Sequence, residues 1–211
     1  MPEPLVEAQA DWSAETSGLA DSLSTAFLVL LETLNPAERA VFLLREVFEY
    51  DYDEISRVVD KTEANCRQMV RRAREHVAAG KLRFQPVPGH DERLVQQFIE
   101  TCRQGDTEGL LALLSDDAAL YSDGGGKVPA APQPVIGAAR VARFLIGVAK
   151  LTKPDEEIRF ARINSATGFL RFHNGQLIQT TALEIADGRI VAIYVVRNPE
   201  KLKHLEYDRQ V

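Results

Sequence analysis

The sequence predicts two domains in succession: an all-α domain with a helix-turn-helix, then an α+β domain in which helices wrap a curved sheet into a cone. In the first half, apolar residues recur at helical spacing behind helix-start signals. In the second half, Asn-Gly and Asp-Gly pairs separate strand-like runs, a pattern typical of tight hairpins. Between them, residues 85–90 hold two prolines and a glycine, which regular structure does not tolerate. At 211 residues and 45% apolar, the chain is long enough to bury the cores of two small domains.

We place the segment boundaries at the breaks in these patterns. A linker covers residues 1–19, which are polar and acidic and show no sustained period. The helical domain covers 20–84, a second linker covers 85–90, and the α+β domain covers 91–211. No internal repeat interrupts this order.

The helical domain is predicted from its start signals. Asn35 precedes Pro36 and Glu38, which suits an N-cap, a first helical position and a capping box. Asp51 and Glu54 form a second such pair. Helices are expected around these signals, with the following apolar stripes: Leu23, Phe27, Leu30, Leu31 and Leu34; Ala40, Val41, Leu44, Val47 and Phe48; Ile55, Val58 and Val59.

The α+β domain is predicted to open with two helices, a short strand at Ala118–Ser122 and a further helix containing Val141 and Phe144. Three strand-like runs follow, and the turns between them are Asn174-Gly175 and Asp187-Gly188. The runs are Gly168–His173, Gln176–Ala186 and Arg189–Arg197. An antiparallel meander results, and the helices must cover its concave face.

A helix-turn-helix is predicted from the helices Asp53–Val59 and Glu63 to about Ala79, joined by three residues. On the second helix, one stripe is apolar and the opposite face carries long donors. The apolar stripe is Cys66, Val70, Ala73 and Val77, and the outward face is Arg67, Gln68, Arg71, Arg72 and Glu75. Arginine can donate paired hydrogen bonds to guanine, and glutamine can form hydrogen bonds with adenine. Arg74 and other arginines can neutralise phosphates. The alternative is an ordinary solvated helix with a basic face. At the turn, Asp60 replaces the usual glycine and must adopt the left-handed conformation.

The charge distribution agrees with a nucleic-acid-binding segment, although the net charge is −6. Residues 1–60 are acidic and contain only Arg39, Arg45 and Arg57 as bases. Residues 61–83 are basic. A local basic segment matters more for DNA binding than the total charge of the chain.

Long stretches of the sequence resemble region 4 of the extracytoplasmic-function sigma factors. The matching runs are residues 34–46, 52–55 and 63–74. The chain is most similar to the group with a SnoaL-like C-terminal extension of the nuclear-transport-factor-2 fold. Further matches are Pro2-Glu3-Pro4, similar to the end of a linker motif, Asp123-Gly124-Gly125-Gly126-Lys127, and Asn198-Pro199-Glu200-Lys201-Leu202.

The resemblance implies that this domain reads the −35 promoter element and contacts the RNA polymerase core. It also implies a region 2 ahead of the linker motif, and the printed sequence begins inside that motif. We therefore expect this chain, as printed, not to initiate transcription by itself.

For the C-terminal domain, the resemblance implies regulation of the sigma factor in cis. The residues expected at the regulatory contact are Asp123, Gly124, Gly125, Gly126, Lys127, Asn198, Pro199, Lys201 and Leu202. Two alternatives stay open: a ligand-responsive regulator with a small molecule in the cone, and a SnoaL-like isomerase or cyclase fused to a DNA-binding domain. Candidate acid-base residues are Tyr121, Asp123 and His173, each with a plain structural role available, and we expect no enzyme activity.

No cofactor or metal site is expected, because the four histidines are scattered and no Cys-x-x-Cys spacing occurs. Cys66 and Cys102 fall on apolar helix faces, which suits small core residues. The N-terminus lacks a signal-peptide pattern and no apolar run is long enough for a membrane span, so we expect a cytoplasmic protein without a membrane partner.

Overall fold

The computed structural model describes residues 1–7, 28, 31–32, 34–79, 91–151, 155–164 and 166–207. The chain divides into two compact units. One is Ala26–Leu82, and the other combines Met1–Thr25 with Arg83–Val211. The predicted helix over Leu23 to Leu34, the linker at 85–90 and the Val77 side chain lie wholly or largely outside the described residues.

The helical unit contains α1 (Pro36–Glu46), α2 (Tyr52–Val59) and α3 (Glu63–Ala79). Its core is formed by apolar side chains from all three helices, namely Val41, Ile55, Cys66, Met69 and Val70. A neighbouring cluster joins Phe42 and Ala73 to Leu31 and Leu34. The predicted stripes are only partly buried: Val41, Ile55 and Val70 lie in the core, whereas Phe48 is 60% and Val58 64% exposed, and Ala40 is exposed as well. The core also includes Phe42 and Met69, which the sequence pattern did not predict.

The local signals act as predicted. The Asn35 side chain accepts a hydrogen bond from Glu38 N at 2.9 Å, and Asp51 N donates to Glu54 Oε2 at 3.0 Å. Asp60 has φ 52° and ψ 53°, so an aspartate occupies the left-handed turn position. The two caps fix where α1 and α2 begin, and the left-handed turn at Asp60 fixes where α2 ends.

The second unit begins with β1 (Val6–Glu7) and continues after the helical unit. Its helices are α4 (Asp91–Gln104), α5 (Thr107–Leu113), α6 (Ala138–Ala149), α7 (Pro199–Leu202) and α8 (His204–Tyr207). Its further strands are β2 (Leu114–Asp123), β3 (Val135–Ile136), β4 (Glu156–Ile163), β5 (Ala166–His173), β6 (Gln176–Ala186) and β7 (Arg189–Val196). The predicted fold class, a helical domain followed by an α+β domain, is confirmed.

One seven-stranded sheet has the order β1-β4-β5-β6-β7-β2-β3. Strands β4 to β7 form the antiparallel meander, with Asn174 (φ 49°) and Asp187 (φ 51°) leading its two predicted turns. Strand β2 pairs with β7 in parallel, so the sheet is mixed. Strands β1, β3 and β4 were not among the predicted strands.

We call the sheet face towards α4, α5 and α6 the inner face. Leu120, Leu183 and Ile193 lie there, and each is at most 2% exposed. Their sequence neighbours point to the opposite, outer face, because side chains alternate along a strand. The inner face carries the main core of this unit.

Residues 1–7, predicted as part of a linker, contribute a strand to this sheet. Val6 pairs with Ile163 and Glu7 with Arg162. Leu5 N donates to Asn164 Oδ1 at 2.8 Å, and Asn164 N donates to Leu5 O at 2.8 Å. A strand of two residues has no period of its own, so its pairing depends on a partner about 160 residues away.

In the described part of the chain, no helix combines the length and apolar character needed to span a bilayer.

Candidate nucleic-acid interface and loop–tail cluster

Helix α3 presents a polar face to solvent. Cys66, Val70 and Ala73 are at most 1% exposed, which confirms the predicted buried stripe. All five predicted DNA-binding side chains are exposed: Arg67, Gln68, Arg71, Arg72 and Arg74. Their donors are therefore available to a partner lying along the helix.

Three of these arginines form ion pairs. Arg67 Nη2 lies 2.7 Å from Glu63 Oε2, Arg71 Nε 3.0 Å from Glu75 Oε1, and Arg74 Nη2 2.7 Å from Glu46 Oε1. Such exposed pairs contribute only about 0.2–1 kcal/mol each. A phosphate or a base edge can therefore replace the carboxylate at small cost.

Tyr52 links the start of α2 to this face, a contact that no sequence pattern predicted. The Arg45 guanidinium lies 4.9 Å and that of Arg67 5.0 Å from the Tyr52 ring centre. Arg45 Nη1 also donates to Tyr50 O at 2.7 Å. Cation–π contact limits the conformations of Arg67, so this side chain is already oriented beside the exposed face.

Residues 123–127 form a tight loop at the end of β2, which we call the glycine loop. Gly125 (φ +60°) would place a Cβ only 2.4 Å from the Asn198 side chain, and at Gly124 a Cβ would lie 2.0 Å from Val128 O. Gly125 N donates to Asp123 Oδ1 at 2.8 Å. Close approach to Asn198 therefore requires glycine at position 125.

The glycine loop directly contacts residues 198–202 near the C-terminal end. Lys201 Nζ lies 2.9 Å from Asp123 Oδ2, and Lys127 pairs with Glu200. Asn198 caps α7 by accepting from Glu200 N at 3.1 Å, and Leu202 is 2% exposed. We call residues 123–127 with 198–202 the loop–tail cluster.

The loop–tail cluster binds the N-terminal segment, residues 1–7. Lys201 Nζ donates to Met1 O, and His204 Nε2 lies 2.9 Å from Pro4 O. Met1 packs against an apolar cluster that includes Phe172 and Leu202. Burial raises the pKa of Asp123, but the hydrogen bonds from Lys201 and Gly125 outweigh it, and the pKa is lowered overall.

Each of the three acid-base candidates contacts a different partner. Tyr121 stacks on Tyr194 with ring centres 5.3 Å apart, Asp123 belongs to the loop–tail cluster, and His173 Nδ1 is 3.3 Å from Asp155 Oδ2. Glu184 is a buried titratable residue that no sequence pattern predicted. Its carboxylate accepts from Tyr194 Oη at 3.0 Å, and burial raises its pKa to about 7.

The Glu184–Tyr194 pair lies on the outer face, because Leu183 and Ile193 face inward. It therefore does not line the cone in which an active site was considered. A shallow groove of about 360 Å³ lies elsewhere, between Leu111, Asp116 and the segment Ile136–Arg140. Among the described residues, no group of three or more His, Cys, Asp or Glu side chains is arranged to hold a metal ion.

Comparison with known proteins gives matches over both units. The family "Sigma-70, region 4" matches residues 24–77. The ECF RNA polymerase sigma factor SigJ of Mycobacterium tuberculosis is 28% identical over 215 residues, covering 95% of this chain and 68% of SigJ. A protein of the same organism named "Probable ECF RNA polymerase sigma factor SigI" is 30% identical over 192 residues, covering 91% of this chain and 64% of its own length.

The crystal structure of M. tuberculosis SigJ aligns with a TM-score of 0.74 at 27% identity, covering 96% of this chain and 74% of that one. The chain thus spans about two thirds of the length of these relatives, 68% of SigJ and 64% of SigI. The alignments run through both the helical unit and the α+β unit.

Proposed function

Because this chain belongs to the extracytoplasmic-function sigma factors with a C-terminal extension, we propose that its helix-turn-helix reads the −35 promoter element for RNA polymerase in the bacterial cytoplasm. The α+β unit regulates this activity in cis. Promoter DNA and the polymerase core are the partners of this function.

The exposed face of α3 carries the promoter-reading proposal. Gln68 and Arg71 lie one helical turn apart on this face, and both are exposed. An amide and a guanidinium at that spacing suit adjacent base edges in the major groove. Arg72 is exposed and has no hydrogen-bonded partner among the described residues, so its charge is available for a phosphate.

The test is a salt-controlled titration of the chain against a cognate −35 duplex and a scrambled duplex. Gln68→Ala and Arg67→Ala should lose about 1–3 kcal/mol on the cognate duplex and much less on the scrambled one. Arg74→Ala should weaken both duplexes equally and reduce the salt slope by about one. If Arg67→Ala loses the same binding free energy on both duplexes, Arg67 does not contact base edges.

The contact of the loop–tail cluster with residues 1–7 supports regulation in cis. This segment precedes the helical unit in the chain, and the α+β unit holds it through Lys201, His204 and strand pairing. We infer that holding or releasing this segment regulates the DNA-reading unit, which follows it in the chain. Such a device acts without a separate inhibitor protein.

A further inference from the structure

The inner face of the sheet changes character along its length. Near Leu120, Leu183 and Ile193 it is apolar and closed. Towards the other end it carries polar side chains instead, namely Glu156, Arg171, Gln179, Thr181 and Arg197. We call Arg171, Gln179 and Arg197 the arginine rim.

Strand register brings the arginine rim together. Arg171 pairs with Gln179 across β5 and β6, and Thr180 pairs with Val196, which places Gln179 beside Arg197. Phe169 and Val195, two residues from Arg171 and Arg197, pack into the inner core, as does Leu183, four residues from Gln179. Because side chains alternate along a strand, all three rim residues point to the inner face. Two strand spacings separate the arginine backbones by about 10 Å, so two extended guanidinium groups can meet over Gln179.

The arginine rim contains two guanidinium groups, and Glu156 contacts one of them. Glu156 Oε2 lies 3.5 Å from Arg171 Nε, and the Glu156 side chain is 9% exposed. Arg197 Nη1 donates to Pro129 O at 3.0 Å, but Arg197 Nε is buried without a hydrogen-bond partner in the described part of the chain. Burial lowers the pKa of Arg171, the charge of Glu156 opposes this, and the charge of Arg197 lowers it further.

Gln179 completes the donor set. It is 8% exposed, and its Nε2 donates to Thr181 Oγ1 at 2.9 Å. The amide nitrogen has a second hydrogen, which remains for another acceptor. The Arg171 side chain is 19% exposed, so the rim can be reached from solvent.

We propose that Arg171, Gln179 and Arg197 bind a small oxyanion, a carboxylate or phosphate group, on the inner face of the α+β domain. Planar guanidinium groups bind such groups through paired, charge-assisted hydrogen bonds. The bound anion supplies an acceptor for Arg197 Nε and offsets the repulsion between the two guanidinium groups. This site is separate from the DNA-reading face.

The site is coupled to the loop–tail cluster by the backbone. Arg197 N donates to Asp123 O at 2.8 Å, and Arg197 directly precedes Asn198. An anion that fixes Arg197 therefore orders the residues that hold the N-terminal segment. The α+β domain would thereby sense a small anionic molecule.

The experiment measures the melting temperature of the chain against sodium phosphate, with sodium chloride added to hold ionic strength constant. We expect a saturable rise for the parent protein. Arg197→Gln should abolish the rise, while Glu156→Gln, which removes the competing carboxylate, should shift the titration to several-fold lower phosphate. The same titration with sodium acetate shows whether the site prefers a carboxylate or a phosphate group.

A matched control tests whether any exposed arginine produces the response. Arg143→Gln makes the same change at an exposed position of α6 and should leave the phosphate response intact. A response lost in Arg143→Gln, or kept in Arg197→Gln, would overturn the proposal. If Arg197→Gln does not fold, Glu156→Gln decides alone, because weaker or unchanged phosphate binding in that variant contradicts the site. None of these readouts depends on promoter binding.

Discussion

Glu184 is an acidic side chain placed where water barely reaches it. It is 8% exposed, it accepts from Tyr194 Oη, and Tyr121 stacks on the same tyrosine. Among the described residues, these two tyrosines are the titratable groups that act on it or adjoin it. Burial raises the pKa of Glu184 to about 7, so its carboxyl group changes charge within the physiological range.

Stability should therefore fall as pH rises towards 7. Between the ordinary glutamate pKa and about 7, the unfolded chain loses the Glu184 proton while the native protein keeps it. Glu184→Gln, which resembles the protonated form, should be more stable than the parent at pH 8 by about 3 kcal/mol or less. Urea unfolding of the parent and of Glu184→Gln at pH 5 and at pH 8 measures this difference. A parent-to-variant difference that is the same at both pH values would contradict the assignment.

Among the elements, the α2–α3 turn depends most on one backbone conformation. Asp60 takes φ 52° while its N–H bonds to Ser56 O, and the turn sets the direction in which α3 leaves. Aspartate and asparagine tolerate this region, whereas a β-branched residue does not.

Asp60→Val should destabilise the helical unit by about 1–2 kcal/mol, because valine is strained in the left-handed region. Asp60→Asn is the matched control and should lie within about 0.5 kcal/mol of the parent. Hydrogen exchange of α2 and α3 amides measures the effect in the unit concerned. Equal protection in the valine and asparagine variants would show that the turn does not limit stability.

Elements with a local signal were predictable, and those without one were not. The caps at Asn35 and Asp51 and the hairpin turns are encoded within four residues of sequence, and they formed as predicted. Strand β1 is two residues long and is defined by a remote partner. The DNA-reading face shows the same difference. The exposure of its side chains followed from the helical period, but the ion pair of Arg74 with Glu46 joins residues 28 apart in sequence and had no local signal. Glu184 alternates with apolar neighbours as a solvent-facing residue would, so its burial had no local sign.

At the scale of the whole molecule, the α+β unit joins residues from both ends of the printed chain. Lys201 contacts Met1 O and Asp123 at once, so one ammonium group connects the N-terminal segment to the glycine loop. Lys203 lies two residues further on and is exposed.

Lys201→Ala should release the N-terminal segment, because it removes both of these bonds. We expect faster proteolysis within residues 1–19 and, in a factor extended with region 2, altered promoter activity. Lys203→Ala changes the same residue type nearby and should match the parent in both assays. Identical cleavage rates for Lys201→Ala and the parent would mean that strand pairing alone holds the segment.

Strand β1 is held to β4 by backbone hydrogen bonds, and backbone groups are the same in every copy of the protein. Once the segment is released, the edge of β4 is open to a strand from a second molecule. The freed segment of one molecule can then fill the vacant edge of another, which gives an exchanged dimer without any new contact. We therefore expect release inside one molecule and capture between molecules to compete, with a balance that shifts with protein concentration.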